Sequence, residues 1–364
     1  MIHANSAQAT SIMFLLPVSG GSGGAHSVMQ EADAMRSLGI DAVIATNDGN
    51  AARLRRGYKD LSTIHNYVVS YASPGALGSL IAERRPDIVV ATTNQSVHVL
   101  EEALRVADLE NQRTAYYIQD YEPLFYARGS NEWNIAYSSY GRLRNCVHFA
   151  KTRWIQETVL SNHGVVVEKV EPSIDHVVYY PRISEIMSQR SRLTVVAMIR
   201  PSTPRRAPRR TVRFINKIAQ EYSDKIRCIT FGCSADELRQ NSLRLVGVEH
   251  LGVLARDELG DLFRETDLFL DLSDFQAFGR TSIEAMSCGS VAIVPAHGGA
   301  YEYALDGKNC FVADTRSDEC ILGTFNQWLA MSDSERRQMA LEGIKAGFRY
   351  TPQRAALSEI SVLL

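Results

Sequence analysis

Residues Leu268 to Glu302 read LFLDLSDFQAFGRTSIEAMSCGSVAIVPAHGGAYE. The apolar run Leu268–Leu272 has the length of a buried strand, and a polar turn containing Phe278-Gly279 follows it. Ser282–Ser287 then has helical spacing, and Val291–Val294 is a second apolar run that ends at a Gly-Gly pair. Two short buried strands joined by a helix form a βαβ unit, which requires a parallel sheet covered on both faces. The same alternation extends upstream. Leu193–Ile199 reads as a strand, Thr211–Gln220 as a helix and Arg227–Phe231 as a strand.

A separate series opens the chain. Ser11–Val18 reads as a strand, a Gly-rich turn leads into the helical stretch Ala25–Leu38, and Gly39 stops it. Ala42–Thr46, Ile88–Thr92, Thr114–Ile118 and Val147–Ala150 continue as strands. Between the two series lies Pro181–Arg192, polar and without apolar period, which reads as a linker. The fold class expected is α/β, with two Rossmann-like doubly wound domains facing across a cleft. The first spans residues 1–181, the second 182–351, and the helical tail 352–364 packs back on the first. Ligands of such sheets bind beyond the carboxyl ends of the strands.

Composition narrows the classes. The 364 residues are 45% hydrophobic and 22% charged, with a formal net charge of −2, so no global basic excess calls for a nucleic-acid partner. Six cysteines occur without a C-x-x-C pair or a Cys/His cluster, and most read as reduced core thiols of a reducing compartment. The start of the chain lacks a basic stretch before its apolar run, and no run is long enough to span a membrane. A cytoplasmic protein is expected. Arg53, Arg55, Arg56, Arg84 and Arg85 form either a solvated face or a peripheral contact with anionic lipid at the inner face of the cell membrane.

Four stretches have the residue types of a phosphate- and sugar-binding site. Ser19-Gly20-Gly21-Ser22-Gly23-Gly24 links a strand to a helix, so unhindered amides there suit an anion as well as a tight turn. The dinucleotide fingerprint fails, because its last glycine is His26 here. Arg200 and Arg205 follow a strand end directly, and guanidinium forks match diphosphate oxygens. The neighbouring Arg209 and Arg210 read as a solvated charge run. In the third stretch, Gly279, Arg280, Thr281 and Ser282 open a helix whose free amides favour phosphate. Glu284 has two oxygens that can each accept from a vicinal diol such as a ribose, or it complements the helix dipole. In the fourth, Gly298-Gly299 caps a strand, and Glu302 either caps a helix or binds a sugar hydroxyl.

Together these stretches resemble glycosyltransferase family 4, retaining sugar transferases of the GT-B fold. The family pattern E-x-F-G-x-x-x-x-E-A-M-x-x-G falls on QAFGRTSIEAMSCG, followed by SVAIVPAHGGAYE. Its Arg…Lys pair falls on Arg200 and Arg205, its first Gly-Gly turn on Gly23-Gly24, and Pro172-Ser173-Ile174-Asp175 before Tyr180-Pro181 looks like its lead-in to the linker. Two departures stand out. The family's first glutamate is Gln276, and the His that many relatives direct at the acceptor is Gln119, within YYIQDYEPLFY. QDYEPLF and IRPSTPRR look like the rhamnosyltransferase subgroup, which points to dTDP-rhamnose as a lead.

The resemblance implies a transferase of cell-surface polysaccharide synthesis, with a nucleoside-diphosphate sugar as co-substrate and neither cofactor nor metal. No D-x-D metal motif occurs. Glu284 would take the ribose, Arg200 and Arg205 the diphosphate, and Gln276, Phe278, Gly298 and Gly299 would lie at the sugar. Gly23 and Gly24 would approach the phosphates as the cleft closes. A saccharide or lipid-linked acceptor would meet Gln119, Asp120, Tyr121 and Glu122. A GT-B nucleotide-sugar epimerase and a non-catalytic nucleotide-sugar-binding homologue are the competing classes; His297 is the only histidine beside the donor loop for the former, and Gln276 motivates the latter.

Overall fold

The computed structural model describes residues 10–18, 23–61, 63–187 and 191–364. Residues 19–22 of the first glycine turn lie outside that range. The chain divides into two compact units, Met1–Ser173 with Thr351–Leu364, and Ile174–Tyr350.

The first unit has strands β1 (Ser11–Leu15), β2 (Asp41–Asn47), β3 (Val68–Tyr71), β4 (Ile88–Ala91), β5 (Thr114–Ile118), β6 (Cys146–Ala150) and β7 (Glu168–Lys169). They form one sheet in the order β3-β2-β1-β4-β5-β6-β7, and every pairing is parallel. The second unit has β8 (Leu193–Met198), β9 (Ile226–Phe231), β10 (Glu249–His250), β11 (Leu268–Leu270), β12 (Val291–Pro295) and β13 (Phe311–Ala313). Their order is β10-β9-β8-β11-β12-β13, again all parallel.

The apolar runs are buried on both faces, as helix-covered parallel strands must be. Alternate residues of β8 and β12 serve different cores: Val195, Ala197, Val291 and Ile293 pack on one side, and Val196, Ala292 and Val294 on the other. The helix Pro208–Glu221 supplies Phe214, Ile215, Ile218 and Ala219 to the first of these cores. In both sheets the strand order reverses beside the first strand of the series. That point lies between β1 and β4 in the first unit and between β8 and β11 in the second.

Several expected boundaries shift. β1 ends at Leu15, not Val18, because Pro17 has no N–H to continue the ladder. β11 ends at Leu270, since the Asp271 side chain folds onto its own turn. Pro181–Arg192 is not a bare linker. Ile183–Ile186 forms a helical turn, Ile186 packs on Gly289, and upstream Ile174 and Tyr179 already belong to the second unit's core. The units therefore part at Ser173/Ile174, eight residues before the expected boundary at 181/182.

The tail helix Pro352–Leu363 lies in the first unit, with Ala356 and Leu363 in the same core as Ile12, Phe14 and Ile88. Burying one such leucine contributes roughly 1.5–3 kcal/mol. The helix also buries a carboxyl, Glu359, near Glu31 of the helix Gly23–Ser37. Glu31 accepts from Tyr117 Oη at 2.8 Å and pairs with Lys151 Nζ at 3.0 Å. Burial first, and then the negative charge of Glu31, hold the Glu359 carboxyl well above the ordinary carboxylate range.

Candidate functional site

In the second unit the residues singled out in the sequence lie at the carboxyl ends of its strands. Arg200 and Arg205 follow β8, Asp271 to Gly279 follow β11, and Gly298-Gly299 follow β12. β8 and β11 are hydrogen-bonded neighbours flanking the reversal of strand order, where doubly wound sheets open a crevice for ligands.

Direct contacts tie these loops together. The Asp274 amide donates to the Arg205 carbonyl at 2.8 Å, and the Arg205 guanidinium lies 5.9 Å from the Phe275 ring centroid. Arg200 is exposed and acts electrostatically on Cys233 and Glu237 after β9, while Arg205 is half-buried. Arg210 differs from its expected solvated state. It donates to the Leu272 carbonyl at 3.0 Å and to Asp274 Oδ1 at 2.8 Å, bracing the β8 loop against the β11 loop. Arg209 stays exposed and, with Arg210, Arg213, Asp274 and Arg316, lines a groove of about 470 Å³ along the β8 loop.

The β11 loop is held by a buried polar group. Asp271 Oδ1 accepts from the Ser273 amide at 3.2 Å and its hydroxyl at 2.5 Å. Oδ2 accepts from Gln276 Nε2 at 2.7 Å and Ser282 Oγ at 3.3 Å. Gln276 Nε2 also donates to Ser273 Oγ at 3.0 Å. Gln276 bridges in parallel to Gly298, and its carbonyl accepts from the Gly299 amide at 2.7 Å. A Cβ on Gly298 would come within 2.1 Å of that carbonyl, and φ at Gly298 is +103°, so the close approach of the two loops requires glycine.

The donor-side residues divide accordingly. Gln276 and the Gly298-Gly299 pair come together. Phe278 turns inward, edge-on to Tyr303 and Tyr350, and is a core ring. Ser282 spends its hydroxyl on Asp271. Gly279 starts the helix Arg280–Cys288 at φ +84°, and its carbonyl accepts from Tyr303 Oη at 3.1 Å. Thr281 is half-buried on the helix's first turn, and His297 is exposed. Glu302 is half-buried, and its carbonyl accepts from Tyr350 Oη at 2.8 Å.

Glu284 is buried, with Arg280 Nε donating to its Oε1 at 2.7 Å. Burial pushes its carboxyl upward, while the charges of Arg280 and then Arg256 pull the other way. Arg256 is itself paired with Asp175. Sequence reasoning missed Arg280 as the partner of Glu284, although the i, i+4 spacing was a readable signal. It also missed Asp271, whose signal was an acidic residue closing an otherwise apolar strand.

In the first unit, Gly23 and Gly24 are the first residues of the helix Gly23–Ser37. A Cβ on Gly24 would come within 2.9 Å of Gln119 Oε1, so these two candidate residues are neighbours. Gln119 and Asp120 are half-buried, and Asp120 Oδ1 accepts from the Tyr121 amide. Tyr121 and Glu122 are buried instead. Tyr121 Oη and His163 Nε2 are hydrogen-bonded at 3.0 Å within a cluster that includes Tyr137 and Tyr140. Glu122 Oε2 accepts from the Asn94 amide at 2.8 Å and from the Asn94 side chain, holding the N-terminus of the helix Asn94–Val106. Buried and occupied in this way, these two residues brace the candidate acceptor loop from within.

Known proteins resemble this chain in part of its sequence and in its fold. Residues 195–346 match the family described as Glycosyl transferases group 1, so the second unit contains a domain of that group. The O-antigen biosynthesis protein RfbC of Myxococcus xanthus is 27% identical over 259 residues, 68% of this chain. Mannosylfructose-phosphate synthase of Agrobacterium fabrum is 38% identical over 63 residues, 17% of the chain. The aligned stretches amount to 19% and 14% of those relatives' own lengths. Among solved structures, Anabaena HepE in complex with UDP and glucose superposes with a TM-score of 0.77 at 18% identity, covering 97% of this chain and 99% of that one. Sucrose-phosphate synthase of Thermosynechococcus elongatus gives 0.74 at 14% identity, with 97% and 98% covered. The fold is that of the GT-B glycosyltransferase structures.

Proposed function

We propose that the chain is a glycosyltransferase that moves a sugar from a nucleoside-diphosphate sugar to a hydroxyl of a saccharide or lipid-linked saccharide, with retention, in cell-surface polysaccharide synthesis. The observation that supports this most is the meeting of the Arg200–Arg205 loop, the Asp271–Gln276 group and the Gly298-Gly299 turn where the second sheet reverses its order, inside the matched domain. In this reading Arg200 and Arg205 neutralise the leaving diphosphate, so charge develops against fixed cations without a metal. Glu284 accepts from the pentose hydroxyls, exchanging part of its bond to Arg280 for them. Gln276 meets the donor sugar. On the first unit the half-buried Gln119 and Asp120 would meet the acceptor, and a donor phosphate oxygen takes the acceptor proton.

HepE was solved with UDP-glucose as well as with UDP, which makes UDP-glucose the first donor to try. GDP-mannose and dTDP-rhamnose complete a panel that separates base from sugar preference. Titration calorimetry should find binding to at least one of them. Arg205→Ala should weaken that affinity about ten- to a hundredfold, since a hydrogen bond to a charged group contributes roughly 1.5–3 kcal/mol. Unchanged affinity in that variant would overturn the diphosphate assignment. Release of free sugar from the bound donor distinguishes an active transferase from a binding homologue.

A further inference from the structure

The polar group behind Gln276 has a proton inventory that closes. An ionised carboxylate offers about four acceptor positions, and a primary amide offers two N–H donors and one carbonyl oxygen. Both oxygens of Asp271 receive two donors each, from the Ser273 amide and hydroxyl and from Gln276 Nε2 and Ser282 Oγ. Ser273 Oγ spends its proton on Asp271, so a lone pair accepts the second hydrogen of Gln276 Nε2 at 3.0 Å. The amide donors are then used up. Gln276 Oε1 accepts nothing among the described residues, and it is not among the sealed, unpartnered polar atoms of the core. Turning the amide over would press that oxygen against Asp271 Oδ2, acceptor against acceptor, so its orientation is fixed.

We propose that Asp271 is a positioning residue: by accepting from Gln276 Nε2 it turns the open carbonyl oxygen of Gln276 toward a hydroxyl of the donor sugar. This rests on the nucleotide-sugar reading above and identifies the group that orients the sugar in it. A carboxylate at position 276 would also present an acceptor to a sugar hydroxyl, but here it would face the Asp271 carboxylate across the 2.7 Å now bridged by a hydrogen. Acid at 271 and amide at 276 therefore belong together. Asp271 and Gln276 are 7% and 4% exposed, so solvent cannot relieve a mismatch between them.

The test is a four-member cycle of wild type, Asp271→Asn, Gln276→Glu and the double variant. Each is measured for its unfolding midpoint without ligand and for its affinities for UDP-glucose, GDP-mannose and dTDP-rhamnose against UDP, GDP and dTDP. Gln276→Glu sets two carboxylates together. Asp271→Asn leaves a donor facing a donor, either at Gln276 or at the Ser273 amide. Each single variant should lose roughly tenfold in sugar-nucleotide affinity relative to the free nucleotide. The double variant should recover most of that loss and of the unfolding midpoint. Its two groups have exchanged roles, so the amide now at position 271 donates to the carboxylate now at position 276 and leaves an acceptor on the sugar side. If Gln276→Glu does not fold, folding of the double variant is itself the rescue. Wild-type selectivity in Gln276→Glu, or a double variant no better than either single one, would overturn the proposal. Wild type that binds no nucleotide sugar fells the functional reading instead, a different result from binding without coupling.

Discussion

The two units share a sheet architecture but use their buried acids differently. In the second, buried acids stand beside the candidate ligand groups: Asp271, just past β11, holds the Gln276 amide, and Glu284, on the helix Arg280–Cys288, is held by Arg280. In the first, the buried acid Glu122, which follows β5, braces the helix Asn94–Val106. The densest buried charge there lies around Glu31, Lys151 and Glu359, where the tail helix docks. Similar parallel sheets thus spend the desolvation of carboxylates on different ends, preorganisation in one and attachment of a distant segment in the other. Buried acidity alone does not mark a site; what its partners leave open does.

The sharpest way to break this contrast is Arg280→Ala. It removes the guanidinium from a carboxylate that is 5% exposed, leaving the Arg256–Asp175 pair as the nearest charges. Loss of one partner of a buried pair typically costs about 3 kcal/mol or more. Chemical denaturation should show that loss in the transition of the second unit, with the first unit's transition unmoved. The Glu284 carboxyl should also shift further upward, so donor affinity at neutral pH should fall. An unchanged second-unit transition would mean that Glu284 does not depend on its helix neighbour.

The parallel sheets were legible because two-sided burial leaves a direct trace, the apolar runs at Val195–Met198 and Val291–Pro295. The candidate loops were legible by position, since a doubly wound sheet places Arg200, Gln276 and Gly298 after the carboxyl ends of its strands. What stayed hidden depended on partners distant in sequence. Nothing near Glu122 in the chain announces the amide of Asn94, and nothing near Glu359 announces Glu31. Short strands such as β7 and β10, with two residues each, leave no period to read. Arg210 looked like part of a charge run because its partner Asp274 lies on another loop.

The second probe moves to the first unit. Glu359 has a folded-state pKa raised above its unfolded value, so the native protein binds a proton that the unfolded chain gives up above about pH 4.5. The resulting stability is present below that pH and is lost as pH rises toward the folded value. The slope is about 1.4 kcal/mol per pH unit while one proton is taken up. Glu359→Gln needs no proton, and its amide can donate to Glu31. Its advantage over wild type in thermal midpoint should therefore be larger at pH 8 than at pH 5. A constant difference across that range would show that Glu359 titrates normally and that the tail helix is held by packing alone.

The smallest effect expected is at His163, and it tests whether the aromatic cluster under the Asp120 loop is a rigid support. Burial, and then the charge of His148, lower the His163 imidazole to about 4. The ring is hydrogen-bonded through Nε2 to Tyr121 Oη. With the folded pKa below the ordinary 6.5, the unfolded chain binds the extra proton, so stability is full above 6.5 and drains as pH falls toward 4. His163 is only half-buried, so screening makes the slope shallower than that of Glu359. His163→Asn removes the titration, and its first-unit midpoint should vary less between pH 7 and pH 4.5 than that of wild type. If the two profiles run parallel, Tyr121 is fixed by its stacking on Tyr140 and not by the histidine.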